Sequence, residues 1–416
     1  MARRLRGSVI LKIAADVREL ADADRPFCNL TVGDFDPRQF PVPALLRDLA
    51  VRALQAGETN YPPSDGVLAL RQAVVEFTAR EHGVSFPLAS VLIAAGGRPA
   101  IYAAFRCVLD AGDAMLYAVP SWNNDYYASM LGARELAVRA QPEHAFQPTL
   151  AELQPRLPEV KLLCLCSPGN PTGTVLPPEA LRAILEAVVE ENGRRSARRL
   201  APLFVLYDLM YGSLVFGDTL PAHPLALVPE AAPWVITVDG ISKAFAATGL
   251  RVGWVTAAPA VIARMKDFLG HVGAWAPRPE QLATAGFLQD AAAVAEFRAG
   301  MNQALAVRLN ALYEGFTRLK AQGYPVDCVR PQGAMYLSLR LDLVGRSVGG
   351  VPLPDNEAIR KLLLERAGFA VVPFQAFGLP EDSGWFRLSV GAVSLREIEE
   401  VLPRVGKLLA GLGSRR

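Results

Sequence analysis

The chain has 416 residues, 51% hydrophobic and 20% charged, which is too apolar for a disordered segment and too long for one small core, so two compact units are expected. Lysine and arginine total 43 against 41 aspartates and glutamates, a formal net charge of +2 that gives no field for gathering nucleic acid or an anionic membrane. Five cysteines without a C-x-x-C spacing and four scattered histidines without H-x-x-x-H suggest neither a disulfide framework nor a metal site, and fit a reducing cytoplasm.

Residues 1–6, Met-Ala-Arg-Arg-Leu-Arg, are basic like the start of a signal peptide, but Lys12 and Asp16 interrupt the apolar stretch that follows. An amphipathic arm is the expectation. No apolar run of about eighteen residues occurs, so no membrane span is predicted. Short apolar runs then alternate with helical patterns, the signature of an α/β layer. Strands are predicted at Val91–Ala95, Ala114–Val119, Leu162–Cys166, Leu203–Tyr207 and Trp234–Asp239, each apolar on both faces as a sheet covered on two sides requires. Helices are predicted at Pro99–Leu109 and Pro177–Glu191, the second opening with prolines suited to a first turn. Residues 192–202, with four arginines, read as a solvated loop or an anion-binding patch. Helical spacing from Ala292 to Gln322 leads into an α+β unit. That unit has strands at Ala334–Leu341 and Trp385–Val390, a helix at Asn356–Ala367 and a terminal helix from Leu395. Residues 345–354, rich in glycine and proline, read as a loop.

The chain has only seven lysines. Lys12, Lys266, Lys320, Lys361 and Lys407 lie in helical patterns among other charges, and Lys161 stands at a strand entrance. Lys243 alone follows an apolar strand into small residues, in Asp-Gly-Ile-Ser-Lys-Ala-Phe-Ala-Ala-Thr-Gly-Leu-Arg-Val-Gly, where desolvation would depress its pKa and make it a nucleophile and base. Asp208, in Tyr-Asp-Leu-Met-Tyr, ends a predicted strand three residues before Tyr211. By itself it reads as a cap for the following turn. Ser167-Pro168-Gly169-Asn170-Pro171-Thr172-Gly173 is a strand-to-helix turn, and Ala95-Gly96-Gly97-Arg98 offers bare backbone N–H groups at a helix start, where an anion is favoured. Trp122 directly follows a strand.

With these residues in its Lys243 segment, closing in Gly249-x-Arg251-Val252-Gly253, the chain resembles the class I/II aminotransferases of the fold type I pyridoxal-phosphate enzymes. The resemblance runs from about Leu30 to the C-terminus, and the further motifs follow in the family's order. It implies an aspartate aminotransferase-like α/β fold: a large domain with a mostly parallel seven-stranded sheet covered by helices, and a smaller α+β domain. The expected division is residues 1–45 as arm and part of the small domain, 46–300 as the large domain and 301–416 as the C-terminal domain. It also implies that Lys243 carries pyridoxal 5'-phosphate as a Schiff base. Asp208 would partner the pyridine nitrogen, Tyr211 and Asn170 the ring oxygen, and Trp122 the ring face. Gly96, Gly97, Arg98, Ser242 and Arg251 would hold the phosphate, joined by Tyr61 from a neighbouring subunit of a homodimer with shared active sites. Gly240 departs from the family, many members carrying serine or threonine there as an additional phosphate ligand.

For the substrate, the resemblance assigns Arg387, in Phe-Arg-Leu-Ser, to the α-carboxylate, with Gly33 closing over it and Asn170 assisting. The expected activity moves an amino group from an L-amino acid to a 2-oxo acid. Arg98 sits where related bacterial aspartate aminotransferases carry a lysine for the distal carboxylate, which makes aspartate with 2-oxoglutarate the first expectation. His271 is the weaker candidate for that role, and Arg98 as a phosphate support or a solvent-facing residue stays open. So do aromatic or other neutral donors, a lyase or decarboxylase on the same scaffold, and a regulatory module fused to DNA-binding helices, for which some thirty preceding residues are too few.

Overall fold

The structure, a computed structural model, describes residue 7, residues 9, 12, 13 and 15–17, and residues 26–220 and 222–412. The basic segment at residues 1–6 lies outside the described residues, as does most of the expected arm up to residue 25.

Seven strands form one sheet, in the spatial order Val91–Ala94, Gly253–Thr256, Val235–Gly240, Phe204–Asp208, Leu162–Cys166, Ala114–Val119 and Arg134–Arg139. The last five run parallel, and Gly253–Thr256 is antiparallel to both its neighbours. Successive side chains point to opposite faces: Leu162, Cys164, Leu206, Ile236 and Val238 enter one buried cluster, while Leu163, Leu165, Val205, Tyr207 and Val235 enter another. Burial on both faces explains why these strands read as continuous apolar runs. Two strands escape that signal. Arg134–Arg139 is a half-exposed edge, and Gly253–Thr256 is short and opens on a glycine. The Gly253 position lies so close to the neighbouring turn that a Cβ there would stand 2.8 Å from the Gly96 carbonyl carbon.

The topology positions the site. All strands but Gly253–Thr256 share one direction, so residues 95–98, 120–122, 166–170, 208–211 and 240–243 converge at one edge of the sheet, where such folds place their ligands. The antiparallel strand starts at that same edge and brings Arg251 with it.

A second, antiparallel sheet is formed by Val372–Pro373, Trp385–Ser389, Tyr336–Leu341 and Val326–Cys328. Cys28–Asn29 pairs in parallel with Phe369–Ala370, tying the N-terminal segment to this unit. The helices Ala291–Ala321 and Leu395–Leu409 pack on one shared core with it. The terminal helix starts with a reciprocal cap, Ser394 and Glu397 each satisfying the other's backbone N–H. None of the helices among the described residues is long and apolar enough to cross a membrane.

Two predicted loops are corrected. The helix Pro178–Ala197 runs through the first part of residues 192–202. Glu191, Asn192 and Arg195 are its buried polar residues: Asn192 bonds both the N–H and the carbonyl of Leu203, and Arg195 bonds Glu191 and the carbonyls of Leu157, Val160 and Ala201. Arg194 pairs with Glu190 and Glu191. Polar side chains that cap neighbouring backbone, rather than solvate a loop, made this stretch look unstructured. Residues 345–354 contain a hairpin, Arg346–Val348 against Val351–Leu353, turned by Gly349 and Gly350 at φ 54° and 82°, the left-handed region that a two-residue turn requires.

Candidate active site

At the convergent edge lies a cavity of about 700 Å³. Of the residues singled out in sequence, Gly33, Gly97, Arg98, Trp122, Asn170, Asp208, Tyr211, Ser242, Lys243, Arg251 and Arg387 line it. Among the described residues that line it, four cations, Arg98, Lys243, Arg251 and Arg387, face two carboxylates, Asp34 and Asp208. Among the described residues none of the four forms an ion pair. Arg387 is buried and Lys243 and Arg251 are half-buried, whereas Arg98 is exposed; burying unpaired charge is costly, so the inner part of the cavity, around Lys243, Arg251 and Arg387, is built for anions.

Lys243 stands in the short helical turn Ile241–Ala244 that follows the strand Val235–Gly240. Its Nζ donates to the Gly33 carbonyl at 2.6 Å. Burial is the main cause that lowers its pKa to about 8, with Arg387, Arg98 and Arg251 adding to the effect and Asp34 opposing it. Asp208 is the last residue of its strand, and its carboxylate accepts the Met210 N–H at 2.9 Å. Burial raises its pKa to about 6 against that single bond, so it too lacks the cation that would hold it ionised.

The helix Gly97–Val108 opens with no side-chain cap, leaving its first N–H groups free toward the cavity edge. Arg251, itself in the left-handed region at φ 57°, lies against Gly96. Its guanidinium donates to the carbonyls of Thr248 at 2.6 Å and Ala95 at 2.9 Å. A Cβ on Gly96 would stand 2.4 Å from that guanidinium, so glycine is needed for the arginine to reach the helix start. Gly240 has its own reason. A Cβ there would meet the Val252 carbonyl oxygen at 2.7 Å, leaving no room for a hydroxyl side chain of the kind many family members carry.

Arg387 comes from the strand Trp385–Ser389 of the smaller sheet and is 1% exposed. It donates to the Thr31 carbonyl at 2.6 Å and to Asn170 Oδ1 at 3.3 Å, its Nε has no partner, and burial disfavours its charge. Arg98 lies with its guanidinium carbon 4.8 Å from the Trp122 ring centroid. Stacking rather than ion pairing holds it, leaving its N–H donors free. Asn170–Pro171 is a cis peptide, as are Val119–Pro120 and Ser167–Pro168.

Three candidates do not line the cavity: Gly96 sits beside it, against Arg251, and Tyr61 and His271 lie elsewhere. Tyr61 is 82% exposed and sits edge-on to Trp275 at 5.3 Å between ring centroids. His271, at the end of the helix Pro259–Val272, is exposed and does not line the cavity. The sequence reading missed Asp34 and Tyr336, which do line it. For Tyr336 the local signal is only its alternation with Ser338 and Arg340 along the strand, of which Tyr336 and Ser338 are buried and Arg340 exposed.

Glycine-lined backbone N–H groups beside an arginine that has no carboxylate partner among the described residues fit a phosphate, a desolvated lysine fits an aldehyde carbon, and a carboxylate without a cation fits a cationic ring nitrogen. Fold and site together define an α/β enzyme of the pyridoxal-phosphate-dependent class. Residues 25–405 match the model of the family aminotransferase class I and II. The chain belongs to that family and is a pyridoxal-phosphate-dependent transaminase. It is 32% identical over 410 residues, 97% of this chain and 94% of its relative, to an aspartate aminotransferase of Streptomyces avermitilis. In fold it is similar to an aspartate aminotransferase from Rhizobium meliloti, with a TM-score of 0.89 at 26% identity and coverage of 99% and 98% of the two chains. It is also similar to an aspartate aminotransferase from Thermus thermophilus solved with maleate, at 0.86, 28%, 98% and 98%.

Proposed function

We propose that this transaminase acts on aspartate as donor, with 2-oxoglutarate as acceptor, and that the residues gathered in the cavity divide the work as follows. When bound, pyridoxal phosphate supplies an aldehyde that exchanges amino groups and a ring that accepts electrons from a breaking Cα–H bond. Gly96, Gly97, Ser242 and Arg251 hold the phosphate. Lys243 provides the amine that binds the cofactor, and the same amine would take the proton from the substrate Cα and deliver it to the cofactor's aldehyde carbon. Asp208 keeps a proton on the ring nitrogen, the role its unpaired, buried carboxylate suits. Tyr211 and Asn170 bond the ring oxygen, and Trp122 covers the ring face. Arg387 grips the α-carboxylate, assisted by Asn170, with Gly33 above it.

The observation that carries the substrate reading is Arg98, an exposed cation at the cavity's rim that stacks on Trp122 and has no carboxylate partner among the described residues. The maleate named with the Thermus thermophilus enzyme is a dicarboxylate, which supports the reading for this chain. The experiment compares aspartate and phenylalanine as donors in the parent and in Arg98→Ala. Loss of kcat/KM for aspartate by about a hundredfold, with phenylalanine little changed, is expected for removal of one charged contact. A parent that prefers phenylalanine, or equal losses for both donors, assigns the cavity to neutral amino acids instead.

The same reading makes the enzyme a homodimer in which Tyr61 serves the neighbouring subunit's phosphate. Its exposure, and its absence from the lining of its own chain's cavity, support this. Val51, Leu54, Leu68 and Val272 are likewise exposed apolar side chains. It also divides the chain at residues 45 and 300 into an arm, a large cofactor domain and a C-terminal domain, the pairing of Cys28–Asn29 with Phe369–Ala370 joining arm to C-terminal domain.

A further inference from the structure

Tyr336 is buried, with 1% exposure, on the central strand Tyr336–Leu341 of the smaller sheet. Three neighbours meet it there. Its hydroxyl lies 2.6 Å from the Tyr211 hydroxyl, the two rings edge-on with centroids 5.5 Å apart. The Arg387 guanidinium carbon lies 4.8 Å from its ring centroid and 4.9 Å from that of Phe377. A Cβ on Gly33, the residue whose carbonyl receives the Lys243 amine, would stand 3.1 Å from its hydroxyl oxygen.

Each of the two phenols has one proton, and the bond between them uses one. Neither hydroxyl has another hydrogen-bond partner among the described residues. If Tyr211 were the donor, the Tyr336 proton would be left without an acceptor beside Gly33 and the Arg387 cation. With Tyr336 as donor, the Tyr211 proton is free for an acceptor in the cavity that both residues line. A hydroxyl that accepts one hydrogen bond becomes a better donor for the next.

We propose that Tyr336 is a positioning residue of two kinds: its hydroxyl donates to Tyr211 and strengthens that phenol's bond to the cofactor, and its ring holds the Arg387 guanidinium flat for the substrate carboxylate. The proposal rests on the assignment of Tyr211 to the cofactor's ring oxygen and of Arg387 to the α-carboxylate. It gives the smaller sheet a direct hold on both cofactor and substrate through one side chain.

The test separates hydroxyl from ring. The visible absorbance of the holoenzyme is titrated with pH in the parent, Tyr211→Phe, Tyr336→Phe and the double variant. KM for 2-oxoglutarate is measured in Tyr336→Phe and Tyr336→Leu, with circular dichroism of each protein as the control for folding. Tyr336→Phe should move the titration midpoint in the same direction as Tyr211→Phe but less far, and the double variant should match Tyr211→Phe alone. KM should stay within about twofold in Tyr336→Phe, which keeps the ring, and rise about tenfold in Tyr336→Leu, the scale of a lost cation–π contact. A midpoint moved by Tyr211→Phe but not by Tyr336→Phe overturns the hydroxyl role alone. A midpoint that Tyr211→Phe leaves in place overturns the assignment of Tyr211 and the hydroxyl role with it. Equal KM values in the phenylalanine and leucine variants overturn the ring role.

Discussion

The amine of Lys243 is held by the backbone carbonyl of Gly33, 2.6 Å away and 210 residues distant in sequence. One hydrogen bond therefore joins the turn after a central strand of the large sheet to the N-terminal segment that closes the cavity. Gly33 has little room for a side chain, since a Cβ would stand 3.1 Å from the Tyr336 hydroxyl and 3.7 Å from Arg387. Gly33→Ala should raise KM for both the donor and the 2-oxo acid by about tenfold, the scale of one displaced polar contact, with thermal stability near that of the parent. Steady-state kinetics with a melting curve checks this, and an unchanged KM would remove Gly33 from the carboxylate site.

Asp208 has two readings that kinetics separates. As the partner of the ring nitrogen, it is needed for the electron sink, and Asp208→Ala should lower kcat by about a thousandfold or more while the fold persists. As a cap for the turn, where it accepts the Met210 N–H, its loss should cost stability and leave kcat within about tenfold of the parent.

Asp239 offers a stability test away from the cavity. It is the neighbour of Gly240 and accepts that residue's N–H at 2.7 Å. Burial, aided by Asp208 and opposed by the Gly240 bond and Arg298, raises its pKa from 3.8 to about 8. A carboxyl whose folded pKa exceeds its unfolded value keeps its proton only in the fold, so its contribution is complete below about pH 4 and is lost as pH rises toward 8. Asp239→Asn retains the carbonyl acceptor and removes the titration. The stability of the variant relative to the parent should increase between pH 4 and 8 by a few kcal/mol and then level off. A difference that is the same at pH 5 and pH 9 would show that Asp239 does not titrate in this window.

The shared active site is tested by mixing two inactive chains. Lys243→Ala and a Tyr61→Ala chain should regain activity when unfolded and refolded together, because a heterodimer contains one site with both residues intact. No recovery, or a fully active monomer on sedimentation, would contradict the placement of Tyr61 in its neighbour's site.

Much of this site was legible in the sequence because its residues sit where strands end. Lys243, Asp208, Asn170 and Gly96 each follow or finish a run of apolar residues buried on both faces, so the edge of the sheet announces itself. Arg134–Arg139 was not legible because an exposed edge strand lacks that apolar continuity, and Gly253–Thr256 is too short to show it. Residues 192–197 misled because Asn192 and Arg195 spend their polarity on the backbone of Leu203, Leu157 and Val160. Tyr336 was missed for a different reason: its alternation with Ser338 marks only the face of the strand on which it lies, whereas its role depends on a phenol brought to it from 125 residues away.

The central claim, that Lys243 is the lysine which binds the cofactor, is tested most directly by borohydride reduction of the holoenzyme followed by peptide mapping. The pyridoxyl label should fall on Lys243 alone, in the peptide that contains Gly240-Ile241-Ser242-Lys243, and Lys243→Ala should take up cofactor without becoming labelled. A label on Lys12, Lys161, Lys266, Lys320, Lys361 or Lys407 in the parent enzyme would contradict the account.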